Sequence, residues 1–206
     1  MSTGFRPMNW ESILDRITSS VFGLICHQDP TELLYIDGKA VTLCPRCIGL
    51  QISFLITIAI VAVLKKFGRR SSITKPALAI TIIFALFAPI HWVLCRDGIS
   101  VPDSTMRLVT GLGSGGAMAI LLNAYLAGKT GQIPSERLGL KIIPALAILV
   151  IAETTGSALV SLTNWLVLTL VTFICVLGNS LIAAHTLWII VLGILGSKSK
   201  TIADGG

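Results

Sequence analysis

Charge is what this chain has least of. Only 13% of its 206 residues are Asp, Glu, Lys or Arg, where a soluble domain carries about 25%. With 53% hydrophobic residues and a mean hydropathy of +0.85, the chain is excluded from the water-soluble globular class. Polar stretches long enough to fold separately are also missing, so residues 1–206 read as one integral membrane domain. There is no internal repeat and no low-complexity tract. The first 40 residues lack an apolar core followed by a small-residue cleavage site, so a cleavable signal peptide is not expected.

Acidic residues are scarcer than basic ones, 10 against 16, which leaves a net charge of +6. Nucleic acid is not the implied partner, because the basic residues sit between apolar runs and a positive cytoplasmic face explains them. A nucleotide-binding loop is equally unsupported. Gly111, Gly113, Gly115 and Gly116 lie inside an apolar run, where small residues serve close helix packing.

What the chain has instead is long apolar runs. A membrane span takes about 20 mainly apolar residues, and five candidates are present: Ile48–Leu64, Ala77–Cys95, Met106–Gly128, Ile142–Leu162 and Trp165–Leu195. The fifth is too long, roughly 46 Å at 1.5 Å per residue, so it must tilt, break or protrude. Gly178-Asn179 is the expected break, and residues 197–206 are expected to form a disordered tail. The fold class is therefore all-α: a polytopic bundle of about five spans over residues 48–196, with residues 1–47 as a cap. Within the cap, Trp10, Ile13, Leu14, Ile17 and Val21 recur at spacings of three and four, an amphipathic surface helix. Glu11, Asp15 and Arg16 on its polar face make it a packing element or lid rather than a basic lipid-binding helix.

Basic residues also set the expected orientation. Lys65, Lys66, Arg69, Arg70, Lys75, Lys129, Arg137, Lys141, Lys198 and Lys200 fall on one side of a five-span chain. Arg6, Arg16, Lys39, Arg46, Arg96 and Arg107 fall on the other, mixed with acids. The positive-inside rule then places the C-terminus in the cytoplasm and the N-terminus outside the cell membrane.

On that outer face, three segments bring soft ligands to one surface. Cys44-Pro-Arg-Cys47 is a C-x-x-C turn, Cys26-His27 lies upstream, and His91 and Cys95 share one helix face at the end of the second span. Zinc takes four such ligands, and the spacing does not say which four. Two rival readings stand beside metal binding: disulfide or thiol chemistry by Cys44 and Cys47, and plain packing of buried cysteines. A histidine one turn from Cys95 favours metal. Cys175, alone in mid-span, reads as packing.

The triplet Cys26-His27-Gln28, the run Cys44-Pro-Arg-Cys47-Ile-Gly49, Asp97-Gly98 and Arg107-Leu-Val-Thr110-Gly111 occur in this order. Their combination resembles the membrane-protein family catalogued as domain of unknown function 2085, over roughly residues 20–125. The resemblance implies a membrane address and a motif set, with no reaction attached. Ser104 stands near a position where the family tends to have asparagine.

Two further groups of polar residues complete the reading. Arg46, Arg96 and Arg107, with Asp97, gather near the outer interface and suit an anionic lipid headgroup or small ligand; snorkelling arginines paired to aspartates are the plain alternative. Glu153, Asn179 and His185 are intramembrane polar residues, placed for a structural hydrogen bond or a proton path. The functional expectation is thus a metal-binding membrane protein with a zinc-like interfacial site. A thiol–disulfide oxidoreductase using Cys44 and Cys47 and a small transporter using Glu153 are the alternatives.

Overall fold

The computed structural model describes residues 10–26, 28–30, 32–36, 38–66, 73–101, 103–129 and 141–203. His27, a candidate ligand, lies outside the described residues. So do Asp37 and four of the basic residues used for orientation, Arg6, Arg69, Arg70 and Arg137.

Among the described residues, seven helices and one hairpin follow in order: α1 (Trp10–Phe22), β1 (Leu34–Ile36), β2 (Lys39–Val41), α2 (Pro45–Lys66), α3 (Lys75–Ala85), α4 (Phe87–Arg96), α5 (Ser104–Lys129), α6 (Ile142–Leu162) and α7 (Trp165–Ala203). Five segments are long and apolar enough to cross a membrane: Pro45–Leu64, Lys75–Arg96, Ser104–Ala127, Ile142–Leu162 and Trp165–Trp188. Successive crossings alternate in direction. The start of the first span, the end of the second, the start of the third and the α6–α7 turn therefore share one membrane face, and α1 and the hairpin cap it.

The second span is one crossing but two helices, α3 and α4, interrupted at Leu86. Pro89 is the local cause, since its ring lacks an N–H and crowds the carbonyl four residues back. A serine from α5 fills the opening. Ser114 Oγ accepts a hydrogen bond from the Ala88 N–H at 2.8 Å and donates to the Phe84 carbonyl at 3.1 Å. The hydroxyl thus stands inside the rung that a regular helix would close between residues 84 and 88, a recognised origin of kinks.

The fifth span departs from expectation in the opposite way. α7 runs unbroken past Gly178-Asn179 and continues as helix to Ala203, through positions where a disordered tail is expected. A single glycine weakens a helix without ending it, and extending a formed helix costs far less than starting one. The next residue, Asn179, is tied by Nδ2 to the backbone carbonyl of Gln51 at 3.1 Å and to the side-chain oxygen of Gln51, which fixes α7 against α2 there.

Packing centres on α2, which lies closest to α5. Small residues make this possible: a Cβ on Gly49 would lie 2.6 Å from the Leu108 carbonyl oxygen, and one on Gly115 2.2 Å from that of Leu50. Lipid offers no hydrophobic drive between helices, so close backbone approach at small residues supplies the dispersion contacts. Gly113 faces elsewhere, toward Phe84 and Phe87. The main buried cluster joins the cap to the bundle through Phe22 of α1, Val41 and Leu43, Ile48 and Ile52 of α2, and Trp165 and Leu168 of α7. Trp165 Nε1 donates to the Ala40 carbonyl at 2.9 Å, and Lys39 Nζ lies 4.8 Å from the Trp165 ring centroid.

The hairpin is an addition to the all-helical expectation. Leu34 pairs with Val41, Tyr35 with Ala40 and Ile36 with Lys39. Asp37-Gly38 between two short runs rich in β-formers is the signal for such a turn, and Gly38 has φ +73°, which glycine adopts without strain.

Candidate metal and ligand site

The cap is built around the end of α1. Its last turn passes into Gly23-Leu24-Ile25, where the Cys26 N–H still reaches the Phe22 carbonyl at 2.9 Å. Gln28 then takes φ 53°, which reverses the chain. Its side chain holds the reversal: Nε2 donates to the carbonyls of Ser19 at 3.0 Å and Thr42 at 3.1 Å, linking α1 to the strand that leads into α2. The hairpin returns the chain to Cys44, whose carbonyl accepts from Ile48 N–H at 3.0 Å and so opens α2. Pro45, the first helical residue, suits a position whose N–H has no partner in any case. Cys44 and Cys47 are three apart at a helix start, so their side chains share a face.

The outcome is a group of three sulfurs. Cys26, Cys44 and Cys47 have Sγ atoms that all lie within 4.8 Å of one another, unbridged by any disulfide. Three cysteines this close can hold a metal ion. The Cys44 backbone N–H also points at Cys26 Sγ, 3.4 Å away. Hydrogen bonding from the Cys44 thiol, and next from the Cys47 thiol, holds the Cys26 thiol well below its ordinary range. The Cys44 thiol moves the other way, because it is the proton donor to Cys26. Cys26 is thus the member of the group whose thiolate is most favoured.

His91 and Cys95 form a second, separate pair on α4. Arg46 Nη2 lies 3.3 Å from His91 Nδ1. Since a guanidinium only donates, Nδ1 accepts and the proton sits on Nε2, which lies 3.6 Å from Cys95 Sγ. His91 is thus engaged by Arg46 and does not belong to the three-sulfur group. Cys95 faces the same cavity as that group without joining it.

That cavity has a volume of about 620 Å³ and runs from the cysteines to the ends of α4 and α5. Arg46, Arg96 and Arg107 all line it, together with Asp29 and Glu32. Arg107 is 7% exposed and pairs with Glu32 at 2.8 Å. Arg96 lies over the Trp92 ring, 5.6 Å from its centroid. Asp97 is not a wall of the cavity; it is the exposed C-cap of α4, followed by Gly98 at φ +71°, and the N–H groups of Gly98 and Ile99 close the helix end onto Cys95 and Leu94 carbonyls. The Asp97-Gly98 pair is a helix stop.

Residues 26–121 match the family described as predicted membrane protein (DUF2085). This is the family that the motifs resemble. The matched DUF2085 stretch contains every residue named above as a wall of the cavity, and it ends inside α5. α6 and α7 lie beyond it. No curated protein and no solved structure matches the chain. A multi-pass membrane protein with a cluster of three cysteines is what the match and the geometry establish together.

The intramembrane polar residues do not converge. Asn179 is bonded to Gln51 rather than to Glu153, and His185 is on the exposed surface of α7. Glu153, half-buried on α6, has no hydrogen bond or ion pair among the described residues. Gln28 is the contributor that sequence reasoning misses: it stands in the Cys26-His27-Gln28 triplet, but nothing in the spacing gives it a role there.

Proposed function

We propose that this protein is a membrane metalloprotein in which Cys26, Cys44 and Cys47 supply three thiolates to a zinc-like divalent ion at the membrane interface. The observation that carries the reading is the mutual approach of three sulfurs from two segments, one of which already favours the thiolate. Uncharged thiols gain little from such crowding, and three bare thiolates would repel; a divalent cation resolves both by displacing the protons. Three ligands leave one tetrahedral position. His27, next to Cys26 in sequence, and Cys95, on the cavity wall, are the chain's own candidates for it, and water or a bound ligand is the other. The positive-inside count supports an extracytoplasmic location for this cap.

One observation favours a second reading, thiol–disulfide exchange. The lowered Cys26 pKa makes that residue the nucleophile, with Cys44 or Cys47 resolving. Cys26 would attack a partner disulfide and release one partner thiolate; a second cysteine would then attack the mixed disulfide and free the reduced partner. The electrons come from the cap dithiol.

Metal analysis of protein purified without chelator separates the two. Near one equivalent of metal is expected, with Cys47→Ser losing both metal and folded yield, because structural metal-binding energy is folding energy. A metal-free, well-folded protein carrying a disulfide within Cys26, Cys44 and Cys47, prepared without air oxidation, overturns the metal reading in favour of exchange.

A further inference from the structure

Two guanidinium groups in the cap cavity each keep a buried Nε donor without a partner among the described residues. Arg46 Nη2 meets the acceptor nitrogen of His91, a neutral imidazole, at 3.3 Å. Its Nε is buried and has no partner among the described residues, and no carboxylate among them pairs with Arg46. Arg107 is more deeply placed, 7% exposed at the start of a span. Nη2 is paired to Glu32, yet its Nε too is buried and unpartnered among the described residues. Desolvated charge is costly unless it is paired and hydrogen-bonded. The Glu32 side chain is 37% exposed against 8% for that of Arg107, so the carboxylate can leave toward solvent while the arginine cannot.

We propose that the cavity binds a tetrahedral oxyanion of the phosphate class, either free phosphate or a phosphomonoester headgroup, between Arg46 and Arg107, with Glu32 as an internal carboxylate that the anion displaces from Arg107. The planar guanidinium fork presents parallel N–H donors to two oxygens of such an anion. The unpartnered Nε atoms are the donors that a single carboxylate does not satisfy. Asp29 also lines the cavity and limits how much negative charge it accepts. Arg96, exposed over Trp92, lies at the rim. This deepens the reading of the cap as a ligand site and rests on it: the donors to the anion are guanidinium groups on α2 and α5, not the sulfurs.

The test uses the full chain in neutral phosphatidylcholine nanodiscs, titrated calorimetrically with inorganic phosphate. Saturable binding is expected, weakened about tenfold or more by Arg46→Gln and by Arg107→Gln, since each removes hydrogen bonds to a charged group. Glu32→Gln carries the decision, because it removes the competing carboxylate. It should tighten phosphate binding about tenfold, whereas a purely structural ion pair would lose stability with no gain in affinity. Should Arg107→Gln fail to fold, Arg46→Gln and Glu32→Gln still decide. Nanodiscs containing phosphatidic acid separate the sources. An apparent Kd for inorganic phosphate that rises with the phosphatidic acid content of the disc marks the headgroup as the occupant; an unchanged Kd marks the free anion. No phosphate binding in the wild type or Glu32→Gln, or an unchanged affinity in Glu32→Gln, overturns the proposal. Phosphate binding in a protein that holds no metal would defeat the metal reading alone, and metal without phosphate binding would defeat this one alone.

Discussion

Gly111 rests directly on the backbone of Arg46: a Cβ built on it would lie 2.2 Å from the Arg46 carbonyl oxygen. The residue at the centre of the C-x-x-C turn is thereby seated on the third span, and the position of two cysteines is tied to a glycine far downstream. Gly111→Ala must push α2 from α5, an overpacking cost of about 1–3 kcal/mol. The expected outcome is lower unfolding stability in mixed micelles together with lower metal content. Gly113→Ala is the control, because a Cβ there meets only Phe84 and Phe87 at 3.5 Å or beyond. Equal damage from both substitutions would detach the site from this contact.

Ser114→Ala tests the kink of the second span. The change leaves the Ala88 N–H and the Phe84 carbonyl without the hydroxyl that now joins them. In a water-poor environment an unsatisfied backbone group costs about 1–3 kcal/mol. Destabilisation of that order is expected in the same micelle assay. If stability is unchanged, the helix has closed its own rung and Pro89 alone holds the bend.

The cysteine group should respond to pH in two directions. Cys26 has a depressed pKa in the folded protein, so its contribution to stability is present above the ordinary thiol value and is lost as pH falls through the folded value. Cys44 is raised, so its contribution is full below the ordinary thiol value and is lost as pH rises through the folded one. Metal-free protein should therefore be alkylated first at Cys26 in mildly acidic buffer, where ordinary thiols are protonated and slow. Peptide mapping after limited iodoacetamide treatment checks this. Cys44→Ala should move the onset of Cys26 alkylation to higher pH, and Cys44→Ser, which keeps a donor, should move it less. Metal affinity should climb with pH, because Cys44 has to release its proton on binding.

Gln28→Leu removes the side-chain donor that joins the carbonyls of Ser19 and Thr42. Glutamine and leucine are both unbranched at Cβ, so the substitution adds no Cβ branching at the φ 53° backbone. The Thr42 carbonyl is left short, at about 1–3 kcal/mol, while the Ser19 carbonyl keeps the Gly23 N–H at 2.9 Å. The cap should loosen from the bundle, measured as faster proteolysis after α1 and reduced metal retention while the spans stay inserted. Unaltered proteolysis with full metal content would show that the hairpin holds Cys26 without it.

Orientation is tested by Ser71→Cys in the otherwise unaltered chain, with the labelled peptide identified by mass spectrometry, because removing Cys26, Cys44 and Cys47 would remove the proposed metal ligands. The basic loop between the first two spans is expected in the cytoplasm, so an impermeant thiol reagent should not label it in intact cells and should label it after permeabilisation. Labelling of that position in intact cells would invert the protein and put the cysteine cap inside.

The apolar runs and the scarcity of charge were enough to define a five-span helical membrane protein, because lipid leaves the backbone no alternative to helix over such lengths. Local chemistry legible in the chain also included the amphipathic α1, the C-x-x-C turn at a helix start and the small-residue face of the third span. The sequence by itself likewise predicted that Cys26, Cys44, Cys47, His91 and Cys95 would reach one membrane face, since alternation of spans is a matter of counting. Only the tertiary structure decided which of them meet. Cys26 joins Cys44 and Cys47 because Gln28 and a short hairpin fold the intervening chain back on itself, and hairpin pairing depends on contacts that a hydropathy profile does not carry. His91 stays with Arg46, and Glu32 reaches Arg107 across 75 residues of sequence, through side-chain contacts that periodicity cannot encode. Ser114 from another helix fills the kink at Leu86, and Gln51 from yet another fixes α7 beside Gly178. Each of these is a pairing of polar groups that water would otherwise satisfy; in a membrane bundle they must find one another, and the partner is set by the packing of whole helices.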